Sequence, residues 1–364
     1  MKTQIVIKEE KRVNIWIDKI DLLPELLPEL NLSNKVAILT HKKLWDLYRH
    51  RFYKLKNFKL IFLPEGEETK SIKYLRKIYY TLLKYGFDRK SILIIFGGGV
   101  IGDLGGFAAA TFMRGIDYVK IPTTLLAMID SSIGGKTAIN LSLGKNLVGS
   151  FYQPKMILCD LSLTKTLPMK EFYTALGEIL KYAILNKKIY LLLNRLGKIS
   201  FNSVDNPIFK KIVFECIKTK LDIVKSDEKE LTGLREKLNL GHTIAHGIEA
   251  VTKYKKYSHG IAVILGLVAE TYLSYIIGLL EKNDFEIILK FIENFTQGIS
   301  FNKEIANVSI KKIYECLKYD KKVQKNKLRF VLPKKFGVVK VYDNIPIKNI
   351  FTAIEFLQKW IVQR

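Results

Sequence analysis

Five histidines occur in the sequence, and three of them, His242, His246 and His259, fall within one stretch of 18 residues. In NLGHTIAHGIEA, His242 and His246 are four positions apart, so a helix would present both on one face. Two imidazoles so placed can bind a metal. The pattern differs from the metalloprotease HExxH, because Thr243 stands where the glutamate would be. A third candidate ligand is Glu178 in TALGEILKYAIL, with Lys181 one helical turn later. Two histidines and one carboxylate leave a divalent metal such as zinc an open position, as catalysis requires. Spacing does not by itself bring Glu178 to the histidines, and core or capping histidines are the alternative reading of the pair.

A second constellation follows the apolar run SILIIF: GGGVIGDLGGF, residues 97–107, in which Gly97, Gly99 and Gly102 match G-x-G-x-x-G. Between a predicted strand and a predicted helix, such a turn lets backbone approach a diphosphate, and the free amides of the helix start favour its charge. Two departures stand out. The turn follows a late strand rather than the first, and no acid ends the next strand about twenty residues on. Asp103 could instead orient a ribose or nicotinamide group. A purely structural glycine turn is the alternative.

Two polar segments complete the inventory. Residues 113–146 carry Arg114, Asp130, Lys136, Lys145 and Asn146 among small residues such as Ser131, Ser132, Gly134 and Gly135. That is too irregular for a plain core element and reads as loop that presents side chains to ligands. In LREKLNLGHTIAH, Arg235, Asn239, His242 and His246 recur at spacings of three to four, which predicts one polar stripe along a helical start. Polar groups in an apolar neighbourhood need partners, and a metal with an anionic, hydroxylated substrate would supply them.

The elements that must position these residues change character along the chain. VAILT (36–40), FKLIFL (58–63), SILIIF (91–96) and DYVKI (117–121) read as strands, with helical patterns near 42–50, 70–84 and 102–112. Strand and helix in alternation predict βαβ units and a mostly parallel sheet. MILCD (156–160) is the last such run before amphipathic helices take over, with one hairpin around LRFVLP and GVVKVY. The expectation is an α/β nucleotide-binding domain over 1–165, a helical domain over 166–364, and an active site in the cleft between them.

Composition narrows the classes. The chain has 364 residues, 48% hydrophobic and 26% charged, which is globular rather than disordered. Cys159, Cys216 and Cys316 are too far apart for a CxxC pair, so a reducing, cytoplasmic setting is expected. MKTQIVIKEEKRVNIWID alternates like a strand and has acids where a signal peptide would be apolar. Ile261–Leu280 is apolar enough to raise a membrane span, but Glu270 at its middle would cost about 3 kcal/mol in hydrocarbon, so a buried core helix is predicted. The net charge of +25 raises nucleic acid as a partner. Its lysines are dispersed and no recognition motif appears, so neither nucleic acid nor membrane is an expected partner.

Taken together, PEGEETKS (64–71), GGGVIGD, the 113–146 segment, GEILKYAI, SDEKELTGLREKLNLGHTIAHGIEA, SHGIAV and YDKKVQKNKLRFVLP (319–333) closely resemble the 3-dehydroquinate synthase family of sugar-phosphate cyclases. The motifs occur in order and cover most of the chain from about residue 60 onward. The resemblance implies a Rossmann-like α/β N-terminal domain with a mainly α-helical C-terminal domain. It implies NAD and a divalent metal, zinc or cobalt, as cofactors, a sugar-phosphate substrate and a homodimer. The implied reaction converts 3-deoxy-D-arabino-heptulosonate 7-phosphate to 3-dehydroquinate and phosphate, in the shikimate route to aromatic amino acids. It proceeds by transient oxidation, phosphate elimination, re-reduction and aldol closure. A valiolone- or inosose-forming cyclase and a metal-dependent polyol dehydrogenase are the alternatives.

On that resemblance the metal ligands are Glu178, His242 and His259, which moves His246 from ligand to catalytic residue. Lys136, Asp130, Lys181, Arg235 and Asn239 join His246 in catalysis. Arg114, Lys145, Asn146 and Lys220 bind substrate, with one of Lys321 and Lys322. NAD is held by Glu65, Gly66, Glu67, Glu68, Thr69 and Lys70, and at the glycine turn by Gly98, Gly99, Val100, Ile101, Gly102 and Asp103. Thr123, Thr124, Lys136 and Lys145 add to that set, as do Leu163, Thr164, Lys165, Thr166 and Leu167. Two departures from the family pattern are an extra residue in DEKELTGLR, assigned to Leu231, and a slightly long stretch between His246 and His259.

Overall fold

The computed structural model describes residues 13–26, 35–321 and 328–364. The chain divides into two compact units, Met1–Leu163 and Thr164–Arg364.

The first unit is a Rossmann-like α/β sandwich. Its elements run β1 (Asn14–Trp16), α1 (Leu23–Leu26), β2 (Val36–His41), α2 (Lys42–Tyr48), β3 (Phe58–Leu63), α3 (Ile72–Lys84), β4 (Ile92–Gly97) and α4 (Gly99–Thr111). They continue through β5 (Asp117–Pro122), β6 (Lys136–Leu141), β7 (Gly144–Phe151) and β8 (Met156–Leu158). Six strands form one parallel sheet in the order β1-β8-β5-β4-β2-β3. The near-continuous β-branched runs are what strands covered on both faces require, and every residue of β4 is buried. Leu39, Ile61, Leu93, Ile95 and Leu104 form the centre of one core cluster. From β2 the chain goes outward to β3, then returns across β2 to β4 and on to β5. Strand order therefore reverses between β2 and β4, the place where doubly wound sheets bind ligands at their carboxyl edge.

Two sequence expectations change here. The strand-like alternation at the N-terminus falls mostly outside the described residues, and the part within them is β1, paired in parallel with β8. Residues 113–146 are more ordered than a loop. They contain β5, a wide helical turn at Ala127–Ser131 and the first part of an antiparallel hairpin, β6 with β7. Five consecutive residues of β7, Lys145–Gly149, are exposed with no alternation of buried and exposed positions, so the period-2 signal is missing.

The second unit is mainly helical: α5 (Met169–Leu185), α6 (Lys187–Leu196), α7 (Pro207–Ser226), α8 (His242–Val251), α9 (His259–Ile276), α10 (Lys282–Phe295) and α11 (Ile310–Lys321). An antiparallel hairpin of β9 (Arg329–Lys335) and β10 (Val338–Asp343) and a final helix, α12 (Ile347–Val362), complete it. At the centre lies α9, packed by α5, α8, α10 and α12. It has the length and hydropathy of a membrane span, yet most of it is buried within the unit. Glu270, the acid in its middle, is fully buried and accepts hydrogen bonds from the backbone N–H of Gly241 (2.7 Å) and Ile244 (3.1 Å). It caps the start of α8.

Candidate active site

Three glycine contacts decide where the helices of the second unit meet. A Cβ on Gly260 would lie 1.8 Å from the carbonyl oxygen of Thr174, and one on Gly177 would lie 2.1 Å from that of Gly260. A Cβ on Gly266 would lie 1.9 Å from the carbonyl oxygen of Gly241. Only glycine permits such backbone approach. Each contact has a candidate ligand beside it in sequence: Glu178 after Gly177, His259 before Gly260, His242 after Gly241. The structure brings these three together, with one donor atom from each lying within 4.8 Å of the others.

Glu178 Oε1 is 3.2 Å from His242 Nε2 and 3.3 Å from His259 Nε2, and Lys181 Nζ forms a close ion pair with Oε2. Neither carboxylate oxygen, although fully buried, has a hydrogen bond of ordinary geometry. Burial works to raise the Glu178 pKa, but Lys181 first and then the two imidazoles hold it well below the usual carboxylate range. Burial pushes His242 down against the pull of Glu178. His259 is pushed up to about 10: burial opposes this, and the carboxylates of Glu178 and Glu249 outweigh it. A buried, ionised carboxylate whose Oε1 is faced by two imidazole nitrogens fits a divalent cation in both charge and donor type. The His246 ring is 5.6 Å from that of His242, one turn along α8, and is outside this donor cluster.

The predicted stripe through Arg235, Asn239, His242 and His246 is broken. Leu234–Asn239 is a separate 3-10 turn, and Gly241, at φ +79°, separates it from α8. The glycine in NLGH is a helix-stop signal that the spacing argument passed over. Arg235 is buried, its Nη1 donating to the Glu228 carbonyl at 2.7 Å and its Nε 3.3 Å from Glu230 Oε1, while Asn239 is exposed. The preceding loop is organised by Asp227. Desolvation opposes its ionisation, but N–H groups of Thr232, Arg235 and Leu231 bring it down to about 2. Leu231, the residue assigned as extra, is 83% exposed. Between His246 and His259, Lys253 and Tyr254 both adopt positive φ, and the chain turns there before α9. Lys220 and Lys181 are buried on α7 and α5. Lys321 is the last residue of α11, and Lys322 lies outside the described residues.

In the first unit, β4 delivers the glycine turn to the carboxyl edge of the sheet beside the reversal of strand order. Gly98 precedes α4 and no side chain caps it, so the amides of the first turn, through Val100 and Ile101, have no side-chain cap. Gly102 is buried, yet a Cβ there would meet no protein atom within 4 Å. One turn on, a Cβ at Gly105 would lie 2.8 Å from side-chain carbons of Ile95 and Leu39. The close helix-to-sheet contact therefore belongs to Gly105, while Gly102 leaves space on its side of the first turn of α4, as a phosphate cradle needs.

A polar network adjoins this turn. Lys70, 4% exposed, pairs with Asp103 at 2.5 Å and donates a short hydrogen bond to Asn146. Asn146, at φ +58°, donates its backbone N–H to Asn140 Oδ1 (3.0 Å), and Asn140 Nδ2 donates to Glu67 (2.7 Å), whose carboxylate is 4.0 Å from Lys145. Glu67, Lys70, Asp103, Lys145 and Asn146 are thus brought together, linked by Asn140, which sequence reasoning missed. Its signal was available: two asparagines flank the turn in NLSLGKN. Gly66 takes φ +106°, Thr69 donates to the Pro64 carbonyl at 2.8 Å, and Glu65 and Glu68 are exposed. At the carboxyl end of β5, the backbone N–H of Thr123 donates to Gly97 (3.1 Å), and the Thr124 hydroxyl accepts from the N–H of Ala127 (3.2 Å).

The remaining candidates lie on other segments. Arg114 is exposed on a turn where Met113, Arg114 and Gly115 have φ of +50°, +66° and +120°. Left-handed non-glycine residues cost about 1–3 kcal/mol each and concentrate at functional sites. Asp130 lies in the Ala127–Ser131 turn, and Lys136 is exposed at the start of β6. The 3-10 segment Leu161–Thr166 holds Leu163, whose carbonyl accepts from Tyr48 (3.2 Å), with buried Thr164, Lys165 paired to Asp205 at 2.6 Å, and Thr166. The backbone N–H of Leu167 donates to Thr164.

The fold has solved counterparts. Over 99% of this chain and 100% of the other, the structure superimposes with a TM-score of 0.84 and 21% identity on 2-epi-5-epi-valiolone synthase from Streptomyces hygroscopicus, a protein solved with NAD+ and Zn2+ bound. The likeness is one of fold, a Rossmann-like unit followed by a mainly helical one, and it extends to glycerol dehydrogenase from Schizosaccharomyces pombe at a TM-score of 0.66 and 14% identity over 98% of this chain and 92% of the other. Sequence shows the family. The profile of the 3-dehydroquinate synthase N-terminal domain matches residues 60–174, and that of the C-terminal domain matches residues 175–323. The 3-dehydroquinate synthase of Dictyoglomus thermophilum is 40% identical over 95% of this chain and 96% of its own length. That of Crocosphaera subtropica is 38% identical over 90% and 91%. The chain belongs to the 3-dehydroquinate synthase family.

Proposed function

We propose that this chain forms 3-dehydroquinate and phosphate from 3-deoxy-D-arabino-heptulosonate 7-phosphate, with NAD and a divalent metal, zinc or cobalt, as resident cofactors. The observation that carries the metal assignment is Glu178, a buried carboxylate with no hydrogen bond of ordinary geometry, whose Oε1 is held against two imidazole Nε2 atoms. When bound, NAD would accept and return a hydride and the metal would supply Lewis acidity to the substrate's hydroxyls.

The chain's own residues supply binding, orientation and proton handling. Glu178, His242 and His259 would hold the metal, with Lys181 keeping the carboxylate ionised. The amides at the start of α4 would take the diphosphate of NAD, and the Lys70–Asp103 pair would fix the adjoining turn. Arg235, pinned by Glu228 and Glu230, offers a planar cation of the kind that binds a carboxylate in bidentate fashion. Lys145 and Asn146 on the β6–β7 hairpin, Arg114 on its strained turn and Lys220 on α7 suit the phosphate and hydroxyl groups. His246 is the candidate to hold a proton on its imidazole, with Asp130, Lys136 and Asn239 completing the polar set.

The deciding assay uses purified enzyme, the heptulosonate phosphate and catalytic NAD, and follows phosphate release with and without chelator. Chelator-sensitive release with no NADH accumulation is the expected result. Stoichiometric NADH would replace this reading with a polyol dehydrogenase.

A further inference from the structure

We propose that Glu249 is a positioning residue of the metal centre, holding the His259 ring so that its Nε2 faces the metal. The inference rests on the metal assignment above and goes beyond its three ligands.

His242, His246 and Glu249 occupy positions i, i+4 and i+7 of α8, so they share the stripe of that helix that faces the start of α9. There Glu249 Oε1 lies 3.3 Å from His259 Nδ1. The opposite nitrogen of the same ring, Nε2, lies 3.3 Å from Glu178 Oε1. His242 has the same arrangement with a different acceptor: its Nδ1 is 3.0 Å from the carbonyl oxygen of Leu240, and its Nε2 is 3.2 Å from Glu178. Each ring therefore has an acceptor behind Nδ1 and the shared carboxylate in front of Nε2. An acceptor at Nδ1 keeps the proton there and leaves the Nε2 lone pair for a cation.

The two acceptors differ in strength and mobility. The Leu240 carbonyl belongs to the backbone just before α8 and is fixed by it. Glu249 is a side chain, mostly shielded at 12% exposure, and a carboxylate makes a stronger, charge-assisted hydrogen bond. His259 also needs more help. Its side chain is 35% exposed against 12% for His242, so packing restrains its ring less. Glu249 is in this sense to His259 what the backbone is to His242.

The test measures zinc affinity by chelator competition at one fixed pH, and the visible absorption of the cobalt-loaded protein, for wild type, E249A and E249Q. Thermal unfolding of each metal-free chain separates a folding defect from a binding defect. E249A is expected to weaken zinc binding about 10- to 100-fold and to change the cobalt absorption, with metal-free unfolding close to wild type. E249Q, whose amide oxygen still accepts from Nδ1–H, should recover most of the affinity and the wild-type spectrum. Wild-type protein that binds zinc while E249A binds it equally well, with an unchanged cobalt spectrum, would overturn the proposal and leave the metal assignment standing. Wild-type protein that binds no metal would overturn both.

Discussion

The glycine turn of the first unit and the histidine cluster of the second solve the problem of holding charge in different ways. Around the turn, the protein's own groups satisfy one another: Lys70 has Asp103 and Asn146, and Asn140 ties Asn146 to Glu67. Backbone amides at the start of α4 provide what a phosphate would use. The helical unit instead concentrates a fully buried carboxylate, a buried lysine and two imidazoles, and gives neither carboxylate oxygen a hydrogen bond of ordinary geometry. One site is complete without its ligand. The other pairs its carboxylate with Lys181 but faces it with two imidazole Nε2 atoms, so its ligand should matter more for stability as well as for turnover.

The largest effect should come from Glu178→Gln. Wild type should gain about 2.7 kcal/mol of stability at a hundredfold excess of free metal over its Kd, whereas the variant should gain none and lose turnover with it. Calorimetric melts with and without zinc, alongside the phosphate assay, measure both. Retained activity in rigorously metal-free variant protein would remove Glu178 from the centre.

A smaller, two-sided effect is expected at the turn. Gly105→Ala places a methyl 2.8 Å from Ile95 and Leu39 and should destabilise by about 1–3 kcal/mol, visible in urea melts. Gly102→Ala meets no protein atom within 4 Å, so it should fold as well as wild type yet bind NAD more weakly by equilibrium titration. Equal NAD affinity in that variant would mean the open side of α4 is not the nucleotide's.

The smallest difference concerns whether the first unit is formed in advance. Burial pushes the Cys159 thiol up to about 12, so its thiolate is scarce through pH 8 and 9 and becomes abundant only as the pH approaches that value. A thiol reagent at pH 8 should therefore spare Cys159 in native protein, with or without NAD. Labelling suppressed by NAD would show that this unit opens without its ligand.

Much of this was legible in the sequence because it is local. The strands β2 to β5 announced themselves as β-branched runs, and GGGVIG stood between a strand and a helix. The hairpin of β6 and β7 did not, since its exposed strand lacks alternation and its register is set by pairing across the turn. Glu270 was legible as a lone acid in an apolar run, which excluded one reading without revealing that it caps α8. Helical spacing ran a single stripe through Gly241, where the left-handed backbone in fact separates Arg235 from His242.

What the sequence alone determined is the kind of chemistry and the family. Residue types in order, from the glycine turn through Glu178 to the three histidines, survive any uncertainty about folding, and ordered motifs identify relatives. What only the tertiary structure decided is which groups touch. Glu178 and His259 are far apart in sequence, and they meet because Gly177 and Gly260 let two helix backbones come closer than any side chain would allow. His246 and Glu249 share a helix face with His242, but the donor cluster excludes the first, and the second reaches the far nitrogen of His259. Those are distances between helices, which no spacing along one chain contains.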